Sequence, residues 1–287
     1  MSTSRKKSRT QASADLPDVT LSEIDGVRHL HLGTPWIQGA MRIRKPLKIE
    51  LDYVQRMMAW LLWRDPEELA DTRCLQLGLG AAAITKFCHN VLGLPTTVVE
   101  LNPGVIRICR MYFHLQPDDE RLQVIEGDAA AFVADAAHAE AHDALCVDLY
   151  DHEAASPVLD DEDFYRACWQ TLAPGGVMTV NLFGRQASFE RSARRIAAAF
   201  GEGCVAVFKP TTEGNTIVLA WKGGDMPDRE VLQQRAELIQ ARWGLPAKRW
   251  VKLLSRWAQP VAEGLPAAKS AGTSVGKSKG KSASKPD

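Results

Sequence analysis

Cys74-Leu-Gln-Leu-Gly-Leu-Gly-Ala-Ala-Ala83, followed by Thr97-Val-Val-Glu-Leu-Asn-Pro103, decides the fold of this chain. A short apolar run ends in Gly78-Leu79-Gly80. A helical pattern begins at once, with Ile84, Phe87, Cys88, Val91 and Leu92 on one face, and Gly93 stops it. A second apolar strand then ends in a carboxylate, Glu100. Strand, glycine turn, helix, strand and acid in this order form a βαβ unit that binds a nucleoside. Gly78 and Gly80 have no Cβ, so the backbone can approach a ligand and the helix N-terminus can face it. An acid about twenty residues past the glycines grips ribose hydroxyls, which makes Glu100 the expected ribose ligand.

The alternation continues outward from this unit. Asn102 and Pro103 open a helix as cap and first turn. A strand at 122–125 ends at Gly127-Asp128, and an Ala-rich helix covers 129–137. A strand at 144–147 ends at Asp148. Asp161 caps a helix carrying Phe164, Tyr165, Cys168 and Leu172, and Pro174-Gly175-Gly176 turns into a strand at 177–182. A helix at 188–200 and a hairpin of 204–208 with 215–221 close the sheet. The fold class is therefore α/β, a doubly wound, mostly parallel sheet from residue 73 to about 222 with an antiparallel edge. Two further helices follow, near 228–242 and 247–257, where Trp243, Trp250 and Trp257 form a packing stripe. Before the main sheet, Val19–Ile24, an Asp25-Gly26 turn, Val27–Leu32 and 36–41 alternate as three antiparallel strands, and 50–63 is an amphipathic linking helix.

These elements divide the chain into a basic N-terminus without folded structure (1–18), a β appendage with its linking helix (19–63), a nucleoside-binding catalytic domain with C-terminal helices (64–258), and an unfolded Lys/Ser/Gly/Ala tail (259–287). With 287 residues, 45% of them apolar, the chain can bury one large core. Its formal net charge is zero, so no global field attracts nucleic acid or lipid, and the basic ends read as solvated tails. No run approaches the roughly 20 apolar residues of a membrane span, and the N-terminus has no signal-peptide core. The cysteines at 74, 88, 109, 146, 168 and 204 contain no CxxC pair and fall in apolar patterns. They imply a reduced, cytoplasmic setting and neither disulfides nor a metal. His29 and His31 alternate on a strand without a partner cluster and read as surface residues, and Arg42 and Arg44, beside the expected cleft, face water.

Ligands of open α/β sheets bind at the carboxyl ends of the strands, and here acids follow three strands in succession. Asp128, with Ala129 beside it, stands where an adenine amino group would lie. Asp148 leaves the apolar run Leu145-Cys146-Val147 directly into the cleft, where a carboxylate can hold an ammonium group, accept its proton, or both. Asp151 offers a second anionic contact to a cationic substrate.

Gly78-Leu-Gly-Ala-Ala, Val99-Glu-Leu-Asn-Pro103, Gly127-Asp128, Asp148-x-x-Asp151, Phe164-Tyr165 and Leu172-Ala-Pro-Gly-Gly-Val177 together resemble the spermidine synthase (polyamine aminopropyltransferase) family in order and spacing, over about residues 19–222. The resemblance implies an S-adenosylmethionine-methyltransferase-type Rossmann-like fold with a small N-terminal β-hairpin domain. It implies transfer of an aminopropyl group from decarboxylated S-adenosylmethionine to a diamine such as putrescine, giving spermidine and methylthioadenosine. On that resemblance Asp148 takes or holds the amine proton and Asp151 helps bind the amine. Glu100 and Asp128 contact the nucleoside, and Gln38 in Trp36-Ile-Gln38-Gly contacts its thioadenosine part. No metal and no permanently bound cofactor is implied. The partners implied are the small-molecule diamine and the nucleoside sulfonium, for a homodimer or homotetramer.

Three departures from the family pattern concern the amine. Ala81 stands where the family's glycine loop carries an amino-binding Asp. Tyr53 is followed by Val54 and Gln55 in place of a Tyr-His pair. His152-Glu-Ala-Ala-Ser-Pro157 replaces a proline-rich loop. Two alternatives follow: a methyltransferase-like homologue using intact S-adenosylmethionine, and a catalytically silent nucleoside-binding protein.

Overall fold

The computed structural model describes residues 16–149, 161–183 and 186–259. Most of the two basic ends, Asp151 and the loop 152–157 lie outside the described residues. Strands β1 (Val19–Ile24), β2 (Val27–Leu32) and β3 (Gly39–Arg42) form a small antiparallel sheet. Asp25 and Gly26 both take positive φ, as a two-residue hairpin turn requires. The third strand begins later than the alternation implies. Pro35 has no N–H to offer, and the Trp36 carbonyl is taken by His31 Nδ1 at 3.0 Å, so pairing resumes only at Gly39 opposite Leu30. Helix α1 (Asp52–Met57) then tightens into a 3₁₀ segment, Met58–Trp63, in place of one amphipathic helix. Met58 to Leu62 are all buried, so packing holds this segment on every side and no single stripe sets its period.

The central sheet holds eight strands among the described residues. These are β4 (Cys74–Leu77), β5 (Thr96–Glu100), β6 (Leu122–Glu126), β7 (His142–Val147), β8 (Leu172–Phe183), β9 (Val205–Phe208), β10 (Asn215–Trp221) and β11 (Leu254–Arg256). Their order is β11-β9-β10-β8-β7-β4-β5-β6. The five strands from β6 to β8 pair in parallel and the remaining three are antiparallel, so the doubly wound α/β sheet carries a wider antiparallel edge than one hairpin.

The helices are α2 (Ala83–Lys86), α3 (Pro103–Tyr112), α4 (Ala129–Ala134), α5 (Glu162–Thr171), α6 (Gln186–Phe200), α7 (Arg229–Trp243) and α8 (Ala247–Leu253). The helix expected over 81–92 starts only after Ala82, which sits at positive φ. It then widens into a π turn, Phe87–Val91, with Leu92 N–H reaching the Phe87 carbonyl at 2.9 Å. The expected caps are in place: Asn102 Oδ1 accepts from Gly104 N–H at 2.8 Å, and Asp161 Oδ1 from Asp163 N–H at 2.9 Å. Pro174-Gly175-Gly176 lies inside β8 and does not precede it. Gly175 N–H donates to the Lys222 carbonyl and Lys222 N–H to the Gly176 carbonyl, so the strand runs through the interruption.

The last expected helix ends early, at Leu253. The open edge of β9 captures residues 254–256 as a strand, with Trp257 N–H donating to the Val205 carbonyl at 3.0 Å. The three tryptophans are consequently not one stripe: Trp250 packs on one face of the sheet with Trp60 and Trp221, and Trp257 on the other with Ile196 and Phe200.

A third core joins the appendage to the main sheet. Leu30 and Met41 pack with Leu79, Ala81, Val98, Val105, Cys109 and Phe113. Burying a side chain such as Leu30 fully contributes about 1.5–3 kcal/mol. Contact is closest at Gly39, where an added Cβ would lie 2.5 Å from the Ala81 nitrogen and 2.6 Å from its Cβ. The appendage backbone therefore rests on the glycine loop. Gly39→Ala should force the two apart at a cost of about 1–3 kcal/mol, lowering the melting temperature by a few degrees. A thermal melt superimposable on that of the wild type would show that this contact does not hold the appendage.

Candidate active site at the carboxyl ends of the central strands

Strands β5 and β6 lie to one side of β4, and β7 and β8 to the other. The winding therefore reverses between β4 and β7, and a crevice opens beyond their carboxyl ends. The glycine loop enters this crevice straight from β4. At Gly78, with φ +85°, an added Cβ would stand 2.1 Å from the Asp148 carbonyl oxygen, so no other residue fits. Asp148 N–H donates to the Leu77 carbonyl and Gly78 N–H to the Val99 carbonyl, both at 2.9 Å. From beneath, Gln76 fixes the loop: its Nε2 donates to the Gly78 carbonyl at 2.6 Å, and its Oε1 accepts from Thr85 Oγ1 at 2.6 Å.

Glu100 ends β5 with both carboxylate oxygens engaged by main chain. Oε2 accepts from Leu79 N–H, inside the glycine loop, and Oε1 from Asn102 N–H, each at 2.8 Å. Burial pushes this carboxyl above its ordinary pKa, and the N–H groups of Leu79, Asn102 and Leu101 pull against that rise. Asp128 caps α4, its Oδ1 accepting from Ala131 N–H at 2.8 Å. Capping leaves its second oxygen unused by that bond.

Asp148 stands one step past the register pair Val147 and Val180, so the residue following Val180, Asn181, comes beside it. Asn181 Nδ2 donates to Asp148 Oδ1 at 2.9 Å, and Tyr53 Oη donates to Oδ2 at 3.3 Å. Burial raises the Asp148 pKa, while the bonds from Asn181 and Tyr53 lower it; burial wins. Tyr53 reaches this place because α1 is tied down at its far end. Thr179 Oγ1 donates to the Met57 carbonyl at 2.9 Å, and the buried Arg56 donates to the Lys209 carbonyl at 2.6 Å while pairing with Asp52.

Tyr53, Glu100, Asp128, Asp148 and Asn181 line one cavity of about 1160 Å³, together with Gly78, Gly80, Gln38, Ala129 and the wall residues Trp36 and Phe183. Every expected site residue except Asp151, which lies outside the described residues, is thus brought to a single cleft. The carboxylates of Glu50, Asp52, Glu100, Asp128, Asp148 and Glu213 line it, and among the described residues no Lys or Arg does. Such a cleft favours cations. Tyr53, Asn181 and Asn215, with the carboxylates of Glu50, Asp52 and Glu213, are among the contributors that sequence reading left out of the site. Asn181 did carry a signal, being a polar residue in the middle of an apolar strand. Arg42, expected beside the cleft and facing water, is 39% exposed and also pairs with the lining residue Glu50.

Residues 85–227 match the family model described as the spermine/spermidine synthase domain. The polyamine aminopropyltransferase of Chromobacterium violaceum is 31% identical over 260 residues, spanning 90% of this chain and 97% of the relative. A probable spermidine synthase from Corynebacterium glutamicum superposes with a TM-score of 0.65 at 18% identity, covering 82% of this chain and 88% of that one. A spermidine synthase crystallised with the transition-state analogue AdoDATO gives a TM-score of 0.52 at 21% identity, with the same coverage. The two structural likenesses establish the shared fold, and the sequence match establishes the relationship. The chain belongs to the spermine/spermidine synthase family of polyamine aminopropyltransferases.

Proposed function

We propose that the chain transfers an aminopropyl group from decarboxylated S-adenosylmethionine to a diamine of the putrescine type. The observation that carries this reading is Asp148: a partly buried carboxylate on the cavity wall at the switch point of the sheet, held by two neutral donors. An amine is protonated at neutral pH and must lose its proton before it can attack. Asp148 takes that proton. The amine nitrogen then forms a bond to the aminopropyl carbon next to the sulfonium. The carbon–sulfur bond breaks with its electron pair going to sulfur, leaving methylthioadenosine and a protonated secondary amine. The leaving group is activated by its own positive charge, so the protein's contribution is positioning and removal of water.

In this reading Glu100 holds the ribose hydroxyls, Asp128 and Ala129 hold the adenine end, and Gly78 and Gly80 let the backbone approach. Gln38 meets the thioadenosine part and Asp151 the acceptor amine. The charged side chains lining the described cleft are all acidic, which supports a decarboxylated donor, because the carboxylate of intact S-adenosylmethionine would meet like charge. As part of the same proposal, residues 19–63 form the roof and 64–258 the catalytic domain of a homodimer or homotetramer in the cytoplasm. Six unpaired cysteines, five of them buried, support the reduced setting.

Asp148→Asn should lose 10²- to 10⁴-fold in turnover, roughly the contribution of a general base, while still binding methylthioadenosine. Full turnover in that variant would remove the assignment. Glu100→Gln turns one acceptor oxygen into a donor facing a main-chain N–H. It should weaken methylthioadenosine binding by about 1.5–3 kcal/mol in calorimetric titration, and unchanged affinity would place the nucleoside elsewhere. Wild-type protein titrated with both sulfonium donors should prefer the decarboxylated one. A preference for intact S-adenosylmethionine would overturn aminopropyl transfer.

A further inference from the structure

Behind Asn181 a second amide continues the chain of hydrogen bonds away from the cleft. In the sheet register Asn181 of β8 faces Ile217 of β10, so Asn215, two residues before, is its diagonal neighbour on the same face. Asn215 Nδ2 donates to Asn181 Oδ1 at 3.1 Å. Asn215, the first residue of β10, is itself anchored to Thr211 in the turn before it. Its main-chain N–H donates to Thr211 Oγ1 at 3.2 Å, and that hydroxyl points back to Asn215 Oδ1 at 3.5 Å. Both asparagines are buried.

The direction of this relay is consistent at both ends. The Asp148 carboxylate can only accept, so it takes the Asn181 NH₂, and the Thr211 hydroxyl, which accepts the Asn215 N–H on one lone pair, donates its hydrogen to the Asn215 oxygen. The Asn215 oxygen is then engaged on Thr211, and its NH₂ turns to Asn181. Asn181 must answer with its oxygen, and its own NH₂ is left for Asp148. Reversed, the Asn181 oxygen would face a carboxylate oxygen, an arrangement that favours a protonated Asp148. We propose that Asn215 is a positioning residue for the reaction: its amide locks Asn181 so that a donor, and not an acceptor, meets Asp148. This rests on the reading of Asp148 as the proton acceptor.

Other ionisable groups near Asp148 do not substitute for the lock. Tyr53 of α1 donates to the other carboxylate oxygen. The buried Cys146 thiol, two residues back on β7, has its pKa pushed up by burial and stays protonated. Glu100 of β5 is committed to main-chain N–H groups, Glu50 and Asp52 pair with Arg42 and Arg56, Asp128 caps α4, and Glu213 stands on the loop before Asn215.

The test is the pH dependence of kcat/KM for aminopropyl transfer, measured on the wild type, Asp148→Asn, Asn181→Leu, Asn215→Leu, Asn215→Ser and the double variant Asn181→Leu/Asn215→Leu. The acid limb should lie above the ordinary carboxylate range in the wild type, since activity falls as pH drops through the raised pKa of Asp148. Both Asn215 variants should move that limb up by about one pH unit, which corresponds to losing part of one hydrogen bond to a charged group. The double variant should match Asn181→Leu alone, because Asn215 acts only through Asn181. A purely structural role would lower activity without moving the limb, and would add to the Asn181 effect. The proposal is overturned if both Asn215 variants keep the wild-type limb, or if the double variant shifts further than Asn181→Leu. Should Asp148→Asn retain the limb, the base assignment fails and this proposal with it. If Asp148→Asn abolishes the limb and the Asn215 variants leave it in place, only the lock is wrong.

Discussion

A carboxylate partly withdrawn from water loses hydration that something must replace, and the region around Asp148 is organised by that constraint. Its main-chain N–H continues the ladder from Leu77, and its carbonyl lies where a Cβ of residue 78 would have to be, so the strand end cannot shift without breaking the loop beside it. Its two oxygens are met from opposite sides, by α1 through Tyr53 and by β8 through Asn181. Those two elements meet at Thr179 and Met57, which ties the helix to the strand that supplies the other donor. One carboxylate therefore couples the linking helix, the glycine loop and the antiparallel edge of the sheet.

The appendage follows from the same geometry. Its β3 backbone rests on the glycine loop at Gly39, and Gln38, the residue before it, comes to the cavity wall as a consequence. Ala81 is the loop's side of that contact. Beneath it Lys86, almost fully buried, donates to the Phe113 carbonyl at 2.6 Å and touches Met41 Sδ at 3.3 Å, with its pKa lowered to about 8 by burial. The loop is thus clamped between Gln76 and Thr85 on the sheet side and β3 above.

The parallel half of the sheet was legible because its signals are local: an apolar run, a turn, an acid at the strand end. That pattern also places Glu100 and Asp148 at strand ends, and both line the crevice. What escaped were contacts between distant parts of the chain. Tyr53 meets Asp148 across 95 residues and Asn215 meets Asn181 across 34, and neither spacing leaves a periodic trace. Strand β11 escaped for a related reason. Residues 254–256 continue a helical pattern, and only the open edge of β9 decides otherwise. Asn181 was the missed residue with a visible cue, since an amide in the run Val177–Leu182 needs a buried partner.

The choice of partners for Asp148 has chemical content. A lysine or arginine beside it would compensate burial more completely and would hold the carboxyl well below the usual range, leaving a weak base. No compensation would leave it protonated and unable to accept anything. Two neutral donors lie between these limits: an amide and a phenol soften the cost of burial without cancelling it. The described cleft lining holds no Lys or Arg, Arg42 and Arg56 reaching it only as partners of Glu50 and Asp52. Under the proposed reaction that suits the site, since an unpaired positive group would repel both a sulfonium and an ammonium and would lower the basicity of Asp148.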